Sequence, residues 1–332
     1  MRLASDWWLP QLTWRTAALL PLAWLFGAMS AARRCAFRHG WLTQERMPVP
    51  VVIVGNLVLG GSGKTPLVIE LVTQLRSRGM RPGVISRGFG RSGPHGLEVG
   101  TSSSPADCGD EPLLIRRRAN CPVFVAARRA NAARALLAAY PDTDVILADD
   151  GLQHLRLARD FEIAVFDTRG AGNGCLLPAG PLREPLARLD SIDARVANGR
   201  NPIADSGFAM QLQFGDLYQL VAPAHTCPLA QFAGRHGANV AAVAGIGNPQ
   251  RFFDMLRSAG LDVAAHPFPD HHPFTRADTA YLAGSKIVMT EKDALKCAGF
   301  DDPRIWVVPV TAKVDTGLIE AILEKLRGRK AA

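Results

Sequence analysis

Lys64 and Thr65 follow directly on the small residues Gly60, Gly61, Ser62 and Gly63, and Pro66 comes next. Side chains of these types at this spacing do phosphate chemistry. Small residues let backbone N–H groups converge on phosphate oxygens, and the start of a helix adds a favourable dipole. The lysine then reaches the terminal phosphates and the threonine hydroxyl reaches Mg²⁺. The strict pattern wants glycine at position 58, where this chain has Val58, and its glycines stand at 55, 60, 61 and 63 instead. Taken alone, the segment also fits a plain Gly-rich loop before a helix. A second acidic signal lies downstream, where the apolar run Val145-Ile-Leu-Ala148 ends in Asp149 and Asp150. A carboxylate leaving a strand beside a phosphate loop holds Mg²⁺ directly or through water. Successive side chains of a strand point apart, so one aspartate is a ligand and the other positions water or a loop.

Four further groups carry polar chemistry with less specificity. Arg87 and Arg91 frame Ser86-Arg-Gly-Phe-Gly-Arg91, where two guanidinium forks suit phosphate and a solvated turn fits equally. Asp110 and Glu111 open a helical stretch after Cys108-Gly109, and as an isolated signal they are dipole-favoured residues of a helix start. Arg183 and Glu184 sit on a Pro/Gly-punctuated loop from Leu176 to Pro185, a rigid place for functional groups. Asp270, His271 and His272 share one loop. Metal binding is a weak reading there without a distal Cys or His, and a pH-tuned acid/base role is the other.

The elements that must position these groups alternate. Apolar strands at 51–54, 122–126, 144–149 and 161–167 are separated by helices carrying apolar faces, such as Leu67, Val68, Leu71, Val72 and Leu75. That alternation gives an α/β chain with a doubly wound, mostly parallel sheet of the P-loop NTPase type and helices on both faces. Phe208–Phe214 alternates apolar and polar residues and, with Leu217–Val221, predicts a two-stranded ribbon joining domains. A second α/β pattern starts at Val240. Its Gly245-Ile-Gly-Asn-Pro249 lacks the third glycine of a dinucleotide fingerprint, and Thr290-Glu-Lys-Asp293 lacks the spacing of a guanine-reading motif. The expected divisions are an N-terminal membrane-associating segment (1–45), a P-loop domain (46–205), a β-ribbon linker (206–236) and a smaller C-terminal α/β domain (237–332).

From Thr16 to Ala32 there is no charged residue, while Arg33, Arg34 and Arg38 follow, and five of the six tryptophans fall at 7, 8, 14, 24 and 41. The run is at the short edge of the ~20 residues that span a bilayer. An amphiphilic helix lying in the interface fits better than a span or a cleaved signal, and an N-terminal helix packed on the domain's own core is the other reading. The whole chain of 332 residues carries a formal net charge of +8, with a pI near 9.5, which suits an anionic partner. Its arginines are not interleaved with aromatics on one face, so nucleic acid is a poor candidate. Six scattered cysteines without a C-x-x-C pair argue against a zinc ribbon or disulfide framework.

In order along the chain, Gly55-Asn-x-x-x-Gly-Gly-x-Gly-Lys-Thr-Pro66, Ser86–Arg91, Gly109–Pro112, Asp149-Asp-Gly-x-Gln-His154, Leu177–Glu184, Gly245–Pro249, Asp270–His272 and Thr290–Asp293 resemble the tetraacyldisaccharide 4′-kinase family, the lipid A kinases of Gram-negative bacteria. The resemblance runs from about Trp14 to Lys325, and that family's P-loop has its glycines where this one does. It implies transfer of the γ-phosphate of ATP, with Mg²⁺, to the 4′-hydroxyl of a tetraacyl glucosamine disaccharide 1-phosphate, forming lipid IVA at the cytoplasmic face of the inner membrane. By the same resemblance, residues 60–66 bind the nucleotide and Lys64 takes part in catalysis. Thr65, Asp149 or Asp150, and Glu184 hold the metal. Asp110 is the base, supported by His271 or His272 from a C-terminal domain that closes over the site, and Asn56, Arg87, Arg91, Gln153 and Arg183 meet the acceptor. The alternatives are a P-loop kinase on a soluble phosphorylated acceptor, for which the N-terminal segment is dispensable, and a non-catalytic nucleotide switch, which is indifferent to Asp110.

Overall fold

The computed structural model describes residues 5–91, 96–201, 203, 207–282 and 284–329. Along the chain come β1 (Val51–Gly55), β2 (Pro82–Ser86), β3 (Leu97–Glu98), β4 (Val123–Val125), β5 (Val145–Asp149), β6 (Phe161–Asp167), β7 (Ala194–Asn198) and β8 (Phe208–Phe214). They form one sheet in the order β8-β7-β6-β1-β5-β2-β4-β3. Every pair from β8 to β4 is parallel, and only the short β3 is antiparallel. Parallel strands covered on both faces read as continuous apolar runs, and β1, β5 and β6 are buried at every position. On one face the helices Lys64–Ser77 and Asp110–Ala119 pack Leu67, Leu71, Leu75, Leu113 and Ile115 into a single core. On the other, the helix Arg129–Ala139 packs Ala132, Ala133 and Leu136 against Ile53, Ile85 and Ile146.

The second unit holds β9 (Leu217–Gln219), β10 (Ala222–Cys227), β11 (Asn239–Ala244), β12 (Asp262–Pro267), β13 (Lys286–Thr290) and β14 (Ile305–Val308), ordered β10-β9-β14-β13-β11-β12. β15 (Val310–Val314) then returns to the first sheet and pairs antiparallel with β8.

Two expectations are corrected here. Residues 208–214 and 217–221 do not pair with each other: β8 lies on β7 and β15, whereas β9 lies on β14 and β10. The alternating pattern of β8 reflects a half-covered strand near the sheet edge. The chain also does not end in the second unit. The final helix, Thr316–Arg329, buries Leu318, Ile319, Ile322 and Leu326 in the first unit's core, so two passages, at 215–216 and at Pro309, join the units.

The uncharged N-terminal run starts in the short helix Trp14–Ala18 and continues in the helix Leu20–Arg38, with Pro21 in its first turn, where a missing N–H costs nothing. Leu22, Trp24, Leu25 and Met29 on it are more than half exposed. No helix among the described residues is long and apolar enough to cross a membrane.

Candidate active site

Parallel order brings the C-terminal ends of β1, β2, β4, β5, β6 and β7 to one edge, and ligands of open α/β sheets bind at that edge. The P-loop leaves β1, Arg87 leaves β2, Arg129 stands just beyond β4, and Asp149 ends β5. In the second unit, Gly245–Pro249 follows β11, Asp270–His272 follows β12, and Glu291–Lys292 follow β13. The two edges face each other across a cavity of about 900 Å³ lined by residues of both units and by Phe26, Met29, Arg33 and Arg34 of the N-terminal helix.

Residues 60–66 all line this cavity. Gly63 takes φ 95°, the left-handed region that glycine favours, immediately before the helix starting at Lys64. Three successive loop carbonyls are held from behind. Asn56 Nδ2 donates to Gly60 O (3.1 Å), Arg169 Nη2 to Gly61 O (3.0 Å) and Asn198 Nδ2 to Ser62 O (3.0 Å). In a trans peptide the N–H points opposite to the carbonyl, so these bonds turn the N–H groups of Gly61, Ser62 and Gly63 the other way. Such converging amides form an anion cradle. Asn56 is fully buried behind the loop and does not line the cavity, which corrects its expected place at the acceptor.

The two adjacent aspartates part because Asp150 turns into a left-handed conformation at φ 49°. Asp150 pairs with Lys64 (3.7 Å) and Arg183 (3.1 Å); burial opposes its ionisation, but Lys64 and Arg183 outweigh it and hold it at about 2. Asp149 is buried, neither of its carboxylate oxygens has a partner among the described residues, and burial together with Glu111 and Asp150 pushes it up to about 7. A carboxylate this starved of partners fits a cation. Glu184 does not share that environment. Its carboxylate accepts from Gln153 (2.9 Å) and lies between Arg34 (3.7 Å) and Arg188 (3.5 Å), so the expected metal ligand is an ion-pair partner. Among the described residues no three His, Cys, Asp or Glu side chains gather to hold a metal by themselves.

Asp110 starts its helix 6% exposed, and it meets His271 across the units: Nδ1 lies 3.1 Å from Oδ1 and 3.0 Å from Oδ2. His271 reaches it from a left-handed turn at φ 60°, a conformation costly for a non-glycine residue and typical of functional sites. His271 lines the cavity and Asp110 stands behind it. Burial alone would raise Asp110, but the His271 hydrogen bond, Lys292 and Lys296 bring it down to about 2. The same bond raises His271. His272 faces the other way, with its ring between Phe268 (4.6 Å) and Phe274 (4.9 Å) and Nε2 3.3 Å from Asp278. The turn thus brings His271, and not His272, to Asp110.

Arg87, Gln153 and Arg183 line the cavity, and Arg91 does not; its backbone N–H closes the turn onto Gly88 O (3.3 Å). Three residues to which the sequence reading gave no role in the site also stand in it. Glu111 lines the cavity and accepts from Lys292 Nζ at 2.9 Å. Lys292 also lies 3.5 Å from Asp270 and 3.9 Å from Asp110, and although burial opposes its charge, those carboxylates raise it well above an ordinary lysine. Arg129, 3% exposed, donates to the carbonyls of Asp149 (3.0 Å) and Asp150 (2.6 Å), while its Nε and Nη1 have no partner among the described residues. Its position just past a strand end was the available signal.

The whole arrangement has known counterparts. The sequence model described as tetraacyldisaccharide-1-P 4′-kinase matches residues 15–327. Tetraacyldisaccharide 4′-kinase of Azoarcus sp. (strain BH72) is 51% identical over 324 residues, covering 96% of this chain and 94% of that one. The protein of the same name from Dechloromonas aromatica (strain RCB) is 49% identical over 318 residues, covering 95% and 93%. Among solved structures, the "apo" form of LpxK from Aquifex aeolicus in complex with ATP superposes with a TM-score of 0.77 at 28% identity, covering 94% of this chain and 99% of that one.

Proposed function

We infer the roles of the site residues from one premise: the chain belongs to the tetraacyldisaccharide-1-P 4′-kinase family. It is an ATP-dependent phosphotransferase acting on the 4′-hydroxyl of a tetraacyl disaccharide 1-phosphate. The contact between Asp110 and His271, supplied by different units at the wall of the P-loop cavity, carries the mechanistic reading.

Backbone amides of residues 60–63 and the Lys64 ammonium hold the nucleotide phosphates. Arg183 and the two guanidinium nitrogens of Arg129 that have no partner among the described residues supply positive charge where the phosphoryl oxygens gather. Such preorganised charge is most of what phosphoryl transfer needs. Thr65 and the Asp149 carboxylate, which has no partner among the described residues, would hold Mg²⁺, which would neutralise phosphate charge. The 4′-oxygen bonds to the γ-phosphorus as the bond to the β,γ-bridging oxygen breaks, ADP leaves, and the hydroxyl proton passes to the Asp110–His271 pair. In a loose transition state that proton moves late, so a carboxylate held near 2 suffices. Closure of the two units assembles the pair and excludes water.

The exposed apolar face of the helix Leu20–Arg38 supports the lipid side of the reading. Leu22, Trp24 and Leu25 face outward, and Met29, 65% exposed, also lines the cavity, so acyl chains have a continuous path from a bilayer to the site. The chain works on the cytoplasmic face of the inner membrane, seated in the interface. Labelled γ-phosphate should appear on tetraacyl disaccharide 1-phosphate in detergent, and poorly on the fully deacylated disaccharide 1-phosphate. Equal labelling of both acceptors would favour the soluble-acceptor reading.

A further inference from the structure

The fold sorts the N-terminal tryptophans into two groups. Trp14, Trp24 and Trp41 are 77%, 68% and 78% exposed. Trp7 and Trp8 are half-buried on the first unit. Trp7 Nε1 donates to Pro178 O (3.1 Å) and its carbonyl accepts from Asn173 N (2.7 Å). The ring of Trp8 lies 4.3 Å from the guanidinium carbon of Arg169. Contact with a lipid surface is therefore not the whole use of these aromatics.

Arg169 is a junction. Nε lies 3.1 and 2.9 Å from the oxygens of Asp167, which is 1% exposed, and Nη2 lies 2.7 Å from the same carboxylate. Nη2 also donates to Gly61 O at 3.0 Å and Nη1 to Gly247 O at 3.4 Å. Gly247 belongs to the Gly245–Pro249 loop of the second unit and lies so close to the P-loop that a Cβ there would stand 2.3 Å from Gly61 N. Arg169 itself does not line the cavity.

We propose that Arg169, seated on Trp8, is a positioning residue that fixes the P-loop backbone and clips the second unit's Gly245–Pro249 loop to it, so that nucleotide affinity depends on a tryptophan remote from the nucleotide. The chemistry is local. Holding the Gly61 carbonyl outward turns the Ser62 N–H toward the phosphates. Asp167 fixes the plane of the guanidinium fork, and the Trp8 face stabilises its charge. Gly247 has no side chain because the clip needs backbone-to-backbone approach. The N-terminal segment is in this way a brace of the nucleotide site as well as a neighbour of lipid.

The proposal rests on the nucleotide reading of the P-loop, and full-length protein with a fluorescent Mg²⁺–ATP analogue separates the two. Arg169→Gln should weaken nucleotide binding and raise KM for ATP about tenfold, as loss of a charged hydrogen-bond donor does, with KM for the acceptor within about twofold. Trp8→Ala should weaken nucleotide binding about threefold, as loss of a cation–π platform does, and Trp8→Phe should restore most of it. Trp24→Ala should leave nucleotide affinity unchanged. Arg169→Lys, which keeps the Asp167 pair but cannot serve both carbonyls, should fall between wild type and Arg169→Gln and guards against a folding failure. Wild-type affinity in Arg169→Lys and Trp8→Ala would overturn the proposal, and so would a Trp8→Phe as weak as Trp8→Ala. A wild-type protein that fails to bind the analogue would instead overturn the nucleotide reading itself.

Discussion

At the scale of single residues, the site depends on charges that are individually costly and jointly satisfied. Lys292 is the clearest case: its ammonium serves Glu111, Asp270 and Asp110 at 2.9, 3.5 and 3.9 Å. Lys292→Met takes one cation from each of three carboxylates, while His271 and Lys296 still face Asp110, and should cost about 1.5–3 kcal/mol, as loss of a hydrogen bond to a charged group does. Denaturant unfolding should show that loss, and the acidic limb of kcat/KM should move to higher pH because Asp110 loses a cation that holds it ionised. Adding Glu111→Gln should recover part of the stability. The pairing of His271 with Asp110 has its own pH signature. His271 is raised by that hydrogen bond, so its contribution is complete below its unfolded value near 6.5 and fades as pH rises through the higher folded value. The melting-temperature difference between wild type and His271→Asn should therefore be largest on the acid side of 6.5 and shrink in alkali; a difference flat with pH would contradict the pairing. The phosphate-loop residues and Asp149–Asp150 were legible in the sequence because each motif is local. The support of Asp110 by His271 or His272 came only through the family resemblance and that of Lys292 not at all, since His271 is 161 and Lys292 182 positions away (271 − 110 and 292 − 110), and the choice of His271 over His272 rests on one left-handed turn.

At the scale of elements, strands and helices followed from periodicity wherever both faces are buried. β1, β5 and β6 are continuous apolar runs, and the helix Lys64–Ser77 buries the expected face. The ribbon expected at 208–221 failed for a physical reason: alternation reports one covered face and not which strand supplies the pairing. Phe208–Phe214 found β7 and β15, contacts that depend on a strand nearly a hundred residues later. The N-terminal helix was legible as an uncharged run, and its outward face gives an element-scale prediction. The double substitution Leu22→Ser with Leu25→Ser removes exposed apolar area and should lower sedimentation with anionic vesicles about tenfold or more, at roughly 25 cal/mol per Å² of apolar surface. Unchanged sedimentation would place the lipid contact elsewhere.

For the whole molecule, two mostly parallel sheets present the carboxyl ends of their parallel strands to one cavity, and the chain crosses between them twice before the helix Thr316–Arg329 locks onto the first core. That return was invisible in composition, because a C-terminal strand and helix look alike whichever sheet they join. The arrangement means that neither unit alone holds a complete site: Lys64, Asp149 and Asp110 come from the first, and His271 and Lys292 from the second. Two ion pairs along one helix, Arg118 with Glu291 at 3.3 Å and Glu111 with Lys292 at 2.9 Å, hold the units in register around the Asp110–His271 contact. Residues that act as a unit are strongly non-additive when removed. The most direct measurement is phosphoryl transfer from Mg²⁺–ATP to tetraacyl disaccharide 1-phosphate by wild type, Asp110→Ala, His271→Ala and the double variant. Each single variant should lose about 10²-fold or more in kcat, with the double variant no more than a few-fold worse. Wild-type turnover in Asp110→Ala, or losses that multiply in the double variant, would contradict a base shared between the two units.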